Sequence, residues 1–183
     1  YLSHLAIPEI EKRLGIEFEY VPILLGGVFK LTNNASPAET LRGIRNKVEY
    51  QEIETVRFLK KHKITNFKKN PFFPVNTLKL MRGAVSLLGK DNYSHYVDQT
   101  FAHMWAEPKK MDEEAVFRAA LISSGLPADK ILEDILQAKI KNRLMQLTSQ
   151  SVERGTFGSP TFFLDEEIFF GKDKLIDLED AID

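Results

Sequence analysis

The chain has 183 residues, 43% hydrophobic and 28% charged, with a net charge of −1 and no cysteine. This is the balance of a soluble globular domain, with no strong field to recruit nucleic acid or an anionic membrane surface. It excludes disulfides, thiolate metal ligands and a cysteine nucleophile within these residues, and it suits a reducing cytoplasm.

No apolar run approaches the roughly 20 residues of a membrane span, and no signal peptide opens the chain. The first residue is not Met, so the sequence is read as starting partway through a natural protein. Leu2, Leu5, Ala6, Ile10 and Leu14 recur at helical spacing, and Gly15 supplies a stop. Ile16, Phe18 and Tyr20 then alternate with Glu17 and Glu19, which predicts a strand passing into the apolar run Val21-Pro22-Ile23-Leu24-Leu25. A helix joined to a strand by one glycine suggests an α/β unit without its first strand.

From Ser36 the character changes. Ser36-Pro37-Ala38-Glu39 is a capping box with proline at the first helical position. From there to about Gly155 nearly every segment has helical spacing. Asn76 to Leu88 carries Leu78, Met81, Val85 and Leu88 on one face, with Asn76 as its cap. Asp91 to Trp105 carries Tyr93, Tyr96, Val97, Phe101 and Met104. Asp112 caps a short helix ending at Ser124-Gly125. Pro127 opens a long helix that buries Ile131, Ile135, Ala138 and Leu147 and stops at Gly155.

Strand character returns in Thr161-Phe162-Phe163-Leu164 and Ile168-Phe169-Phe170. Asp165-Glu166-Glu167 separates them as a hairpin turn without the usual Asn-Gly or Asp-Gly signal. Leu175, Leu178 and Ile182 close the chain as an amphipathic helix. The strand-bearing pieces at 1–35 and 156–183 need each other to complete one sheet, so 36–155 is expected to be a helical domain inserted into a discontinuous α/β domain.

The stretch GTFGSPTFF raises a narrower question. Ser159-Pro160 can be a plain strand start, since proline has no N–H for a ladder. It can equally be a fixed cis bond that turns backbone groups outward towards a ligand. Asp173 can cap the last helix, Asn34 can hold a turn after Asn33, and Lys47 can belong to a solvated face with Arg42, Arg45 and Glu49. His95 and His103 lie eight apart without a third ligand, and no metal site is expected.

Four segments, in order, carry a resemblance. GTFGSPTFFLDEEIFFGKDKL is similar to the Gly-x-Phe-Gly-x-Pro-Thr strand and following Phe-Gly-x-Asp-x-Leu of 2-hydroxychromene-2-carboxylate isomerases and kappa-class glutathione transferases. NPFFPVNTLKLMRG resembles their Phe-Pro-x-Asn-Ser/Thr helix start. PILLGGVFKLTNN resembles their loop after the second strand, and KVEY their Lys-x-x-Tyr. The resemblance spans Pro22 to Leu175. It implies a DsbA-like thioredoxin fold with a large helical insertion and a glutathione cofactor.

It also implies roles. The backbone of Ser159, before a cis Pro160, would pair with the cysteinyl part of glutathione as a short added strand. Asp173 would bind the γ-glutamyl amine, and Asn34 and Lys47 match the remaining ligand positions, with a long cation suiting the glycyl carboxylate. The family's catalytic serine would fall before Tyr1, so no catalytic residue is named. A small aromatic or electrophilic substrate is expected against Phe72, Phe73 and Trp105, which can equally be core aromatics. A cytoplasmic homodimer is implied, with no nucleic-acid or membrane partner. Ser159 and Lys172 depart from the aliphatic and Ser/Asn residues that family members often carry there. The rivals are a DsbA-like thiol–disulfide oxidoreductase, whose cysteine pair would also precede Tyr1, and a non-catalytic glutathione-binding module.

Overall fold

A computed structural model describes residues 1–41 and 43–182; Arg42, assigned above to the charged face around Lys47, and Asp183 lie outside the described residues. The chain opens with α1 (Leu2–Leu14), which buries Ala6, Ile7 and Ile10. Gly15 ends it at φ 68°, a left-handed conformation that costs glycine little, and its N–H donates to the Glu11 carbonyl at 2.8 Å.

The strand expected at Ile16–Tyr20 does not form a ladder, because no other strand among the described residues runs beside it. Its side chains still keep the period of two. Ile16, Phe18 and Tyr20 are half-buried and Glu17 and Glu19 exposed. The apolar run that follows is also corrected: Leu25 begins α2 (Leu25–Thr32), not more strand or a loop. A short apolar run does not separate strand from buried helix. Here the full burial of Val28 and the Thr32 hydroxyl bond to its carbonyl at 2.8 Å decide for helix.

The capping box starts only a single turn, α3 (Pro37–Thr40), with the Glu39 and Thr40 amides on the Ser36 carbonyl. Then come α4 (Lys47–Lys61), α5 (Leu78–Leu87), α6 (Tyr93–Trp105) and α7 (Glu114–Ser123). Asn76 caps as expected, its side-chain oxygen accepting the Leu78 amide at 3.0 Å. The long helix expected from Pro127 is broken into α8 (Ala128–Asp134) and α9 (Ala138–Glu153). The buried Asp134 carboxylate accepts from Lys130 at 2.7 Å and from the Gln137 side chain at 2.8 Å. The Gln137 bond spans the break between the two helices.

The hairpin forms as β1 (Thr161–Leu164) antiparallel to β2 (Glu167–Phe170), with Leu164 opposite Glu167. Its turn is only Asp165-Glu166, shorter than the expected three residues, and Asp165 takes the positive φ of 48° that Asp tolerates better than most residues. A 3-10 turn over Lys172–Lys174 then leads into α10 (Leu175–Ile182).

The chain divides into two compact units. The first comprises residues 1–21, 25–65 and 149–183, and the second 22–24 and 66–148. Residues 36–65 and 149–155, placed by sequence in the helical insertion, thus belong to the first unit. The physical reason is Phe58 of α4, which is buried with Ala6, Ile7, Ile10, Leu175 and Leu178, the core onto which Phe18, Tyr20 and Phe162 also pack. In the second unit Tyr96, Met104, Phe117, Leu121 and Ile131 form one core, and Val85, Leu144 and Leu147 form another with Leu24. Among the described residues no helix is long and apolar enough to cross a membrane.

Candidate functional site

The first unit gathers the glycine-proline stretch, the end of α2 and the start of α10. After α9, Gly155 turns the chain at φ 112°. Buried Thr156 shares a hydroxyl hydrogen bond of 2.7 Å with Ser151. The Phe157 ring lies on the Phe170 ring at a centroid separation of 4.5 Å. Gly158 lies beneath that ring: a Cβ there would stand 2.7 Å from Phe170 Cε2, so only glycine fits without movement. The Thr161 hydroxyl donates to the Gly158 carbonyl at 2.8 Å, and the Gly171 amide donates to the Pro160 carbonyl at 3.0 Å.

The Ser159–Pro160 peptide bond is cis. Ser159 is exposed, and among the described residues neither its backbone N–H nor its C=O has a hydrogen-bond partner. The chain therefore presents one open peptide edge between two bonded anchors. Extended peptides add to such edges by main-chain hydrogen bonding.

Two of the other sequence-derived residues, Asn34 and Asp173, are tied to this edge or to the turn beside it. The Asn34 amide nitrogen donates to the Phe157 carbonyl at 2.8 Å, two residues before Ser159, and its oxygen accepts the Ala35 amide at 2.8 Å. The Gly171–Pro160 bond ties the edge to the turn that carries Asp173. The Asp173 side chain is 71% exposed and forms an ion pair with Lys172. Lys172 also stands 4.9 Å from the Phe58 ring centroid. Nearby His62 is held below its usual pKa by burial first and by Lys61 and Lys172 second, so Asp173 stands beside a cluster of basic groups. Lys47 is exposed at the first position of α4, where the helix dipole disfavours a cation. No hydrogen bond or ion pair among the described residues joins its side chain to the others.

Phe72, Phe73 and Trp105 belong to the second unit. Phe72 and Phe73 are exposed, and Trp105 stacks between Phe67 at 6.0 Å and Phe73 at 5.9 Å. Sequence reasoning missed what holds this group. Buried Asn70 donates to the carbonyls of Met104 at 3.0 Å and Lys109 at 3.1 Å, and accepts the Phe72 amide at 2.9 Å. The Asn-Pro dipeptide that begins NPFFP was the available turn signal. The Phe73–Pro74 bond is a second cis peptide.

One polar chain in the second unit carries nucleophile-like residues. His103 Nδ1 faces Lys109 Nζ at 2.5 Å, His103 Nε2 faces the Ser124 hydroxyl at 2.9 Å, and Ser124 faces Gln99 Oε1 at 3.3 Å. Burial and then Lys109 push His103 below its usual pKa. A Lys ammonium only donates, so Nδ1 accepts, the Nε2 proton donates to Ser124, and Ser124 donates to Gln99. In that order the imidazole cannot take the serine proton, so the pair is structural. Among the described residues no group of three or more His, Asp or Glu could hold a metal ion.

Comparison with known proteins extends the picture. The chain is similar to a 2-hydroxychromene-2-carboxylate isomerase from Sphingobium xenophagum, 24% identical over 98% of this chain and 89% of that protein. It is 26% identical to proteins of the same name from Pseudomonas sp. (strain C18) and Pseudomonas putida, over 100% of this chain and 84% and 87% of theirs. A solved structure of a 2-hydroxychromene-2-carboxylate isomerase superposes with a TM-score of 0.84 at 22% identity, covering 100% of this chain and 87% of that one, which shows a shared fold. The family described as DSBA-like thioredoxin domain matches residues 1–183, the whole sequence with its hairpin, cis Pro160 and closing helix, and the chain belongs to that family.

Proposed function

We propose that this protein is a glutathione-dependent isomerase of the 2-hydroxychromene-2-carboxylate isomerase type. The observation that carries the reading is the open peptide edge of Ser159, held between the Asn34–Phe157 and Gly171–Pro160 bonds in a chain whose relatives bear that name. Glutathione is itself a short peptide with charged ends, and the residues present fit it. The Ser159 N–H and C=O would pair with its cysteinyl unit. Asp173 would take the γ-glutamyl amine and Lys47 the glycyl carboxylate, while Asn34 stands beside the edge. When bound, glutathione would supply a thiol that adds reversibly to an electron-poor carbon of a conjugated aromatic substrate. The chain's own part is to fix the direction of that thiol through the Ser159 edge and to hold both charged ends of the ligand. A cytoplasmic homodimer belongs to the same reading. Conjugation to an electrophile, as in a transferase, would begin from the same complex.

Lys172 modifies this site. Its ion pair competes with the ligand amine for Asp173, yet the high exposure of that carboxylate leaves room for a second partner. Calorimetric titration of glutathione into the protein tests the reading. Binding by the wild type, weakened about tenfold in Asp173→Ala with an unchanged far-UV spectrum, is expected from the loss of one charge-assisted hydrogen bond. No binding by the wild type overturns the reading, and equal affinity in the variant removes Asp173 from it. Turnover of 2-hydroxychromene-2-carboxylate, followed by absorbance with and without glutathione, tests the isomerase chemistry itself.

A further inference from the structure

We infer that Asn34 is a positioning residue that acts on the ligand through the Phe157 carbonyl, latching the Ser159 edge in place, rather than a direct ligand of the glycyl carboxylate. The latch is built from two ends. On one side, α2 terminates with Asn33 at φ 55°, and the Asn34 amide donates back to the Phe29 carbonyl at 3.0 Å. That six-to-one bond after a left-handed residue is the Schellman helix ending, which fixes the direction in which the Asn34 side chain leaves the backbone. The Ala35 amide donates to the Asn34 oxygen at 2.8 Å, so the carboxamide is oriented with its nitrogen forward. That nitrogen meets the Phe157 carbonyl at 2.8 Å across 123 residues of sequence.

On the other side, the latched residue lies next to the one place where the loop has no slack. Gly158 is packed under the Phe170 ring, which stacks on Phe157, and its carbonyl takes the Thr161 hydroxyl. A pull on the Phe157 carbonyl is therefore passed to Ser159 through a single packed residue. Asn34 spends its oxygen on Ala35 and one amide proton on Phe157. A ligand role would have to rest on the one remaining proton, whereas the latch uses the group as it stands.

This inference rests on the glutathione reading for its effect on binding but not for its geometry, and the test separates the two. In ligand-free protein, Asn34→Ala is expected to speed hydrogen exchange of the Gly171 amide, whose acceptor is Pro160, at least several-fold. Asn34→Asp keeps the acceptor for Ala35 but has no proton for Phe157, and it should speed exchange equally. Unchanged Gly171 exchange in both variants overturns the latch whether or not glutathione binds. In titrations, Asn34→Ala should weaken glutathione and its glycyl monoethyl ester by the same factor, about three- to tenfold for one hydrogen bond. Lys47→Ala, the control for a carboxylate contact, should weaken glutathione alone. Loss confined to unesterified glutathione in Asn34→Ala makes Asn34 a carboxylate ligand and overturns the inference. Wild-type protein that binds neither compound fails the functional reading alone, and the exchange measurement then decides the latch.

Discussion

Replacing Gly158 with alanine is the sharpest probe of how the site is packed. Its φ is not positive, so the substitution brings no backbone strain and acts through space alone. The new methyl carbon would stand 2.7 Å from Phe170 Cε2 and 3.0 Å from Cζ, where carbons normally meet at about 3.5–4.0 Å. The ring must therefore withdraw by about 1 Å. It is 42% exposed and can yield towards solvent, but doing so breaks its stacking on Phe157. Overpacking costs about 1–3 kcal/mol in closed cores, and a yielding surface ring belongs at the lower end, about 1.5 kcal/mol. For a protein of this size that lowers Tm by roughly 5 °C. Urea denaturation should show a lower midpoint with the slope unchanged. The cycle with Phe170→Leu isolates the cause: in the smaller background Gly158→Ala should cost about 1 kcal/mol less. If Gly158→Ala alone matches the wild type in midpoint, or if the double variant shows no such coupling, the packing argument fails.

Other substitutions have equally definite outcomes. Lys172→Ser removes the ion partner of Asp173 and should tighten glutathione binding by a few-fold in calorimetry, opposite in sign to Asp173→Ala. Gly83→Ala gains about 1 kcal/mol of helix propensity, but its methyl would stand 2.2 Å from the hydroxyl of buried Tyr96, which donates to the Leu80 carbonyl; a net loss of about 2 kcal/mol by urea denaturation is expected. Asn70→Ala abandons the buried Met104 carbonyl, the half-buried Lys109 carbonyl and the Phe72 amide, so a loss of about 2 kcal/mol with a shifted Trp105 emission should follow. His103 takes its proton less readily in the folded protein than in the unfolded chain, whose usual value is 6.5. Its contribution to stability is therefore full above that pH and falls as the pH drops below it. His103→Gln should make the decline of Tm between pH 7 and 5 shallower.

The amphipathic helices were legible wherever a polar stop or cap stood beside the apolar spacing, as with Gly15 after α1 and Asn76 before α5. The hairpin was legible because aromatic and β-branched residues crowd both runs around Asp165. The break between α8 and α9 was not, because residues 135–137 carry no glycine or proline to mark a stop. The start of α2 failed for a related reason: an apolar run carries no period by which to tell helix from strand. Among the candidate site residues, Ser159 and Pro160 stood out beside two glycines, and Asp173 through the family resemblance of its segment. The partner of Asn34 did not, since nothing near residue 34 in sequence points to residue 157.

By itself the amino-acid sequence determined most of the helical stretches, where the hairpin would lie, and that residues 1–183 contain no cysteine thiol. Those properties depend on spacing of a few residues and on composition. Only the tertiary structure decided that α4 joins the first unit through Phe58, that Ile16–Tyr20 keeps its alternation without a ladder, and that Asn34 reaches Phe157. Each of these depends on which distant segment supplies the neighbour, and local pattern carries no record of that choice.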